Sequence, residues 1–329
     1  GGQGGLPMGR PFSNLLGSLM CLSWSSWCLA GLRRFLLPKT AGVVLLRHGE
    51  REDYMAEKTA GMGAEWIARA ERPWDPHLAP NGRLQAKAAA ARLRKVLEAA
   101  DMPMPTRIYT SPLVRCVETA DFVAEEFSVS SIFVEDGLAE SIYEPWMRQW
   151  AVPGANSKWG GPPTCSIPPE SRGRDPRYLR GPEVPAEQLR PEALAGPKAL
   201  FRRAAEFRAE GFHRIDAGYE SCVSLLDKGY RWGRFEIHEE VMARVARVVL
   251  EKSREHLGET VVFVSHGGPT KYGFEGLTGR QPTGEGGMTA LSVLRAGRQA
   301  LENRGPWEVL VSNDASHGQA FAHGTETKI

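Results

Sequence analysis

Cysteine is scarce in this sequence and poorly placed for structural work. Cys21, Cys28, Cys116, Cys165 and Cys222 make five, an odd number at wide spacing with no C-x-x-C. That argues against a disulfide framework and a cysteine zinc site, and for free or buried thiols in a reducing compartment. Histidines and acids do not fall at the usual zinc-ligand spacing either. No long basic run appears. A formal net charge of +2 and a pI near 8.3 are too balanced to imply nucleic acid. Gly267-Gly268-Pro269-Thr270-Lys271 lacks the G-x-x-x-x-G-K-[ST] spacing of a phosphate loop. Asp and Glu are missing from the start of the chain as far as Glu50.

What is present is globular. The 329 residues, 42% hydrophobic and 24% charged, suffice for one large α/β domain or two ordinary ones. The chain opens on Gly-Gly-Gln-Gly-Gly, as a fragment or an unnatural leader does. Pro11–Leu32 carries no charge and is flanked by Arg10 and by Arg33-Arg34. Its serines, Asn14 and glycines weaken a membrane-spanning helix. Residues 1–38 are therefore expected to be an apolar leader or targeting segment, and the fold to begin at 39. Organellar or secretory targeting would come from residues 11–34, with the cytoplasm as the default. Membrane association is expected only if this segment is an uncleaved anchor.

Downstream, short apolar runs alternate with helical patterns. Strands are expected at Gly42–Leu46, Arg107–Thr110, Ile132–Glu135, Thr260–Ser265, Ala290–Leu294 and Trp307–Val311. Helices are expected at about Ala64–Glu71, Arg83–Ala100, Val114–Glu126, Pro197–Phe212 and Glu236–His256, with Glu52–Pro76 otherwise a loop. This alternation predicts an α/β fold: three layers, a mostly parallel sheet flanked by helices. Eleven of the 23 prolines lie between Pro145 and Pro197, so a Pro-rich insertion, about 145–215, is expected near the active site, as a lid or as a plain surface loop. From Ser312 the chain is polar and expected to fray, with 314–329 as a tail.

Four stretches carry chemistry. Val43-Val44-Leu45-Leu46 runs into Arg47-His48-Gly49-Glu50-Arg51, a strand end where α/β sheets hold ligands. Two guanidiniums around one imidazole suit an anion held against a nucleophile; a solvated strand end is the plain alternative. Val264-Ser265-His266-Gly267-Gly268 repeats the strand–His–Gly pattern. Arg115 lies in the first turn of a helix that follows a strand, where free N–H groups and the dipole favour anions. Glu140 follows another strand. A carboxylate beside an anion site has a raised pKa, which makes it a candidate proton donor or, alternatively, an ordinary loop acid. His77 is placed at the surface or at the rim of the pocket.

These residues resemble the histidine phosphatase superfamily, also called phosphoglycerate mutase-like, through the Arg47–Glu50 signature, SPLVRCVETA, EDGLAE and VSHGG in that order. RHGER, LAPNGRLQA and SPLVRCVETA look closest to the catalytic domain of the ubiquitin-associated and SH3 domain-containing phosphatases. The resemblance implies a phosphoglycerate mutase-like fold and a phosphomonoester hydrolase acting through a phosphohistidine. In it His48 is the nucleophile, Arg47, Arg51, Arg115 and His266 hold the phosphoryl oxygens, and Glu140 protonates the leaving oxygen. It implies no metal and no cofactor, a phosphorylated small molecule or phosphoprotein as substrate, and room for a homodimer. A phosphoglycerate-type mutase using the same intermediate and an inactive phosphate-binding module remain the alternatives. The insertion and the Ile215–Tyr230 region depart from the family's pattern, which leaves the substrate open.

Overall fold

β1 (Thr40–Arg47) forms because TAGVVLLR is apolar on both sides, and both sides are covered: Val43, Val44, Leu45 and Leu46 are all buried. The structure is a computed structural model and describes residues 1–2, 40–60, 65–66, 69–142, 201–225, 236–284, 286–303 and 305–321. By contacts the chain divides into two units, Gly1–Lys39 and Thr40–Ile329. Only Gly1 and Gly2 of the first are described. The expected leader and most of the Pro-rich insertion lie outside the described residues. Among the described residues no helix is long and apolar enough to cross a membrane.

The second unit is built on a six-stranded sheet in the order β3-β2-β4-β1-β5-β6. The strands are β1, β2 (Pro105–Thr110), β3 (Ile132–Val134), β4 (Thr260–Ser265), β5 (Leu291–Gly297) and β6 (Glu308–Asp314). β3, β2, β4 and β1 pair in parallel, while β5 and β6 are antiparallel. β1 therefore lies where the sheet changes direction.

Alternate residues feed two cores. Val44, Leu46, Ile108, Val262 and Val264 pack under α2 (Pro80–Ala99) and α3 (Val114–Phe127). Val43, Leu45, Phe263 and Leu294 pack under α5 (His238–Glu255) and α6 (Gly267–Thr278). The stripe on α5 is Val241, Val245, Val248 and Val249. The result is the three-layer α/β arrangement expected of the phosphoglycerate mutase-like fold.

Several local expectations change. Glu52–Ala60, expected to be loop, is helix α1, with Glu52 and Asp53 favouring its positive end. Helix α6 was not expected, since Gly-Gly-Pro is a poor helical opening by propensity. The helix over Pro197–Phe212 shortens to α4 (Ala204–Ala209) among described residues. Its Phe207 is fully buried in the first core, and Ile215 forms a parallel bridge with Ile132, so this segment covers the β3 edge. The tail does not fray at Ser312: β6 runs to Asp314, and a 3-10 turn spans Ser316–Phe321. Arg92 of α2 pairs with Asp314 at 3.1 Å. A last helix, α7 (Arg298–Asn303), follows β5.

Candidate active site

The register of β1 on β4 builds the site. Leu46 lies opposite Val264 and Arg47 opposite Ser265, so the next residue of each strand is a histidine. The His48 amide donates to the Ser265 carbonyl at 3.0 Å, which carries the alignment one residue past the strands. The His48 and His266 rings meet edge to face, centroids 5.2 Å apart. β2 ends beside them, with the Ser111 amide donating to the Val264 carbonyl at 3.0 Å. α3 starts there and points Arg115 inward.

His48 is almost wholly buried, and its protonation pattern follows from its partner. Nδ1 lies 2.7 Å from the Gly49 carbonyl, which can only accept. The proton therefore sits on Nδ1, and Nε2 keeps its lone pair. Burial, followed by the charges of Arg115 and Arg47, holds the His48 pKa well below its ordinary value of 6.5. His266 is fixed the opposite way round. The Arg115 guanidinium, a pure donor, is 3.2 Å from Nδ1, so Nδ1 accepts. Nε2–H then donates to Ser111 Oγ at 2.8 Å. Burial and Arg115 hold this ring neutral too. With His266 neutral, the 3.7 Å approach of Glu140 Oε2 to its Nδ1 is not an ion pair.

The loop carrying His48 is held by α2. The Glu50 amide donates to Gln85 Oε1 at 2.9 Å, and the Ala79 amide donates to the Glu50 carbonyl at 2.9 Å. Gly49 and Gly82 let the two backbones touch: a Cβ on Gly82 would collide with the Glu50 carbonyl oxygen. Thr119 Oγ1 of α3 accepts the Gly49 amide at 3.2 Å.

Of the arginines described at the site, Arg47 and Arg115 have spare capacity. Arg47 donates to the Gly287 carbonyl at 3.1 Å and packs against Gly267. Arg115, fully buried, reaches the Trp74 carbonyl at 3.4 Å. The Nε of each is buried without a hydrogen-bond partner. Buried donors of this kind suit an anion that accepts from several sides. Arg51 is in the same field but differently engaged. Both its forks meet Asp53, Nε–Oδ1 being 2.8 Å, and Tyr54 lies 4.2 Å under its plane. Glu140 is mostly buried and accepts the Ser141 amide at 2.9 Å. Burial raises its pKa above the usual 4.5, against the pull of Arg115.

Arg47, His48, Arg115, Glu140 and His266 thus come together, with Arg51 at their side. His77 is part-exposed, and its Nδ1 lies 3.3 Å from Glu118. Sequence reasoning passed over Asp75, whose Oδ1 accepts the Val114 amide at the start of α3 at 2.7 Å and lies 3.9 Å from Arg115. It also passed over Ser111 and Thr119. Only their adjacency to a strand end or to Arg115 could have singled them out. Chemically the arrangement offers an unprotonated imidazole nitrogen, clustered cations and one carboxyl group biased towards its protonated form.

Residues 43–163 match the family described as histidine phosphatase superfamily (branch 1). Among curated proteins the chain finds no significant match. Similar solved structures include the ecdysone phosphate phosphatase of Bombix mori in complex with tungstate, at 18% identity and TM-score 0.46 over 82% of this chain and 91% of that one. Another is a mycobacterial glucosyl-3-phosphoglycerate phosphatase, at 20% identity and TM-score 0.45 over 84% and 99% of the two chains. A third is a phosphoserine phosphatase of Entamoeba histolytica with 3-phosphoglyceric acid, at 17% identity and TM-score 0.43 over 84% and 98%. The matched stretch, residues 43–163, holds Arg47, His48, Arg51, Arg115 and Glu140, so this part of the chain is similar to the histidine phosphatase superfamily.

Proposed function

We propose that the protein is a metal-independent phosphatase that hydrolyses phosphomonoesters through a phosphohistidine on His48. The observation that carries this reading is the unprotonated Nε2 of His48, held neutral by burial and by the charges of Arg115, Arg47 and Arg51. A nucleophile in that field attacks an anion well only if the anion brings the negative charge, as a phosphoryl group does.

The steps follow from the groups present. Arg47, Arg51 and Arg115 hold the phosphoryl oxygens and neutralise their charge, and His266 joins them when its Nε2–H turns from Ser111 Oγ to a phosphoryl oxygen. Nε2 of His48 bonds to phosphorus as the ester P–O bond breaks. Glu140 gives its proton to the departing oxygen. Water then attacks phosphorus, its proton returns to the Glu140 carboxylate, and the P–N bond breaks to release phosphate and neutral His48. RHGER, LAPNGRLQA and SPLVRCVETA extend the proposal to kinship with the ubiquitin-associated and SH3 domain-containing phosphatases. The substrate is a phosphorylated small molecule or a phosphoprotein, and a screen of phosphopeptides, sugar phosphates and nucleotides separates the two.

The test is release of inorganic phosphate from p-nitrophenyl phosphate and its loss in His48→Ala. A drop of about 10⁴-fold or more is expected for removal of a nucleophile. Interconversion of phosphoglycerates without net phosphate release would favour a mutase, and phosphate binding without turnover an inactive module.

A further inference from the structure

The segment that carries Glu140 is held more tightly than a strand-to-loop exit requires. Three successive carbonyls before it are pinned from two elements. Arg244 of α5 donates through one nitrogen to the Gly137 carbonyl at 2.8 Å and the Ala139 carbonyl at 3.1 Å. Between them, Ser265 Oγ donates to the Leu138 carbonyl at 2.6 Å. On the far side of Glu140, the Ile142 amide donates to Glu236 Oε2 at 3.0 Å, and the Glu236 amide returns a bond to the Ile142 carbonyl at 2.9 Å. Glu236 is the bidentate partner of Arg244, at 2.8 Å from Nε and 2.7 Å from the second terminal nitrogen. One ion pair therefore grips the backbone immediately before Glu140 and again two residues after it.

Both members are buried, with side chains 3% and 1% exposed. Burying a charge pair costs desolvation that apolar side chains of similar volume avoid, so stability alone is a weak reason for it. Apolar side chains cannot hold two carbonyls and an amide in fixed positions. Proton donation to a leaving oxygen demands placement within hydrogen-bond reach. Ser265 ties the same segment to the residue just before His266, so the donor and the phosphate site share one frame. Glu135 adds a grip from the other direction, accepting the Gly137, Cys222 and Val223 amides at 3.0, 2.9 and 3.2 Å.

We infer that the Glu236–Arg244 pair is a positioning device for Glu140, and that it governs how well the enzyme expels poor leaving groups. This rests on the phosphatase reading above. Arg244 and Glu236 act through the backbone of residues 137–142.

The experiment measures kcat against leaving-group pKa over a series of aryl and alkyl phosphates, for the full chain and its variants, with the inhibition constant of inorganic phosphate alongside. Glu140→Gln is expected to steepen the dependence. Arg244→Gln and Glu236→Gln are expected to steepen it in the same sense, with kcat on glycerol 2-phosphate falling about tenfold more than on p-nitrophenyl phosphate. Phosphate inhibition should stay within about twofold, and Arg244→Lys should restore part of the loss. Should Arg244→Gln fail to fold, Ser265→Ala, which deletes only the bond to Leu138, carries the same expectation in milder form. Equal losses on every ester, or weakened phosphate inhibition with an unchanged slope, overturn the positioning role. If Glu140→Gln itself leaves the slope unchanged, the assignment of Glu140 falls instead. No hydrolysis by the unaltered protein removes the phosphatase reading altogether.

Discussion

His48 and His266 stand edge to face at 5.2 Å because β1 and β4 are paired in register up to Arg47 and Ser265. At that place burial and the neighbouring guanidiniums favour the neutral form of both rings. Each is buried, and each feels the charges of Arg47, Arg51 and Arg115. A proton on either ring would add a cation to that group.

Stability should accordingly fall on the acid side. Both histidines have folded pKa values below 6.5, so between those values and 6.5 the unfolded chain binds more protons than the folded one. The free energy of unfolding then decreases as pH drops through about 6.5, with a limiting slope of about 1.4 kcal/mol per pH unit for each ring. Denaturant titrations between neutral pH and pH 5 measure it. A flat profile would mean that the rings are not held neutral.

Activity should decline on the alkaline side for a different reason. Glu140 titrates above its ordinary 4.5, because burial disfavours the carboxylate. As donor it must be protonated, so kcat/KM for an alkyl phosphate falls as pH rises through that raised value. The limb should vanish in Glu140→Gln, leaving a lower but flat rate. A limb that survives the substitution assigns it to another group.

Arg115→Lys tests the fork. The guanidinium reaches the Trp74 carbonyl and His266 Nδ1 at once, which a single ammonium cannot match. Inhibition by inorganic phosphate is expected to weaken by about 10- to 100-fold, in line with loss of a charge-assisted contact of roughly 1.5–3 kcal/mol. Unchanged inhibition would place the phosphate away from Arg115.

Gly82→Ala tests the support of the His48 loop. The added methyl runs into the Glu50 carbonyl. A loss of about 1–3 kcal/mol in stability is expected, together with lower turnover. Gly297→Ala, where a Cβ meets nothing within 4 Å, is the control and should change stability by less than about 0.5 kcal/mol. Thermal melts of the two proteins decide it.

Much of this was legible in the sequence because strands buried on both faces leave continuous apolar runs. VVLL and TVVFVS announced β1 and β4 and, at their ends, two His-Gly junctions. Arg115 and Glu140 were legible by position, each just beyond a strand. Other parts left no such trace. α6 opens on Gly-Gly-Pro, and its place is set by packing of Phe274 and Leu277 on the sheet. Ser312–Asp314 is polar, yet it pairs with β5. Arg244 reads as one more cation on an amphipathic helix, and the carbonyls it holds lie 105 and 107 residues earlier.

The sequence by itself determined the chemistry available: two imidazoles, the guanidiniums and one acid, each tied to the end of a strand or the start of a helix. Local pattern is enough for that, because it sets where an element begins and ends. Tertiary structure alone decided that β1 lies beside β4 in that register. It therefore decided that the imidazoles meet, which nitrogen of each carries the proton, and that Glu140 is held between bonds to one buried ion pair. These depend on contacts between residues far apart in the chain, and no local preference encodes them.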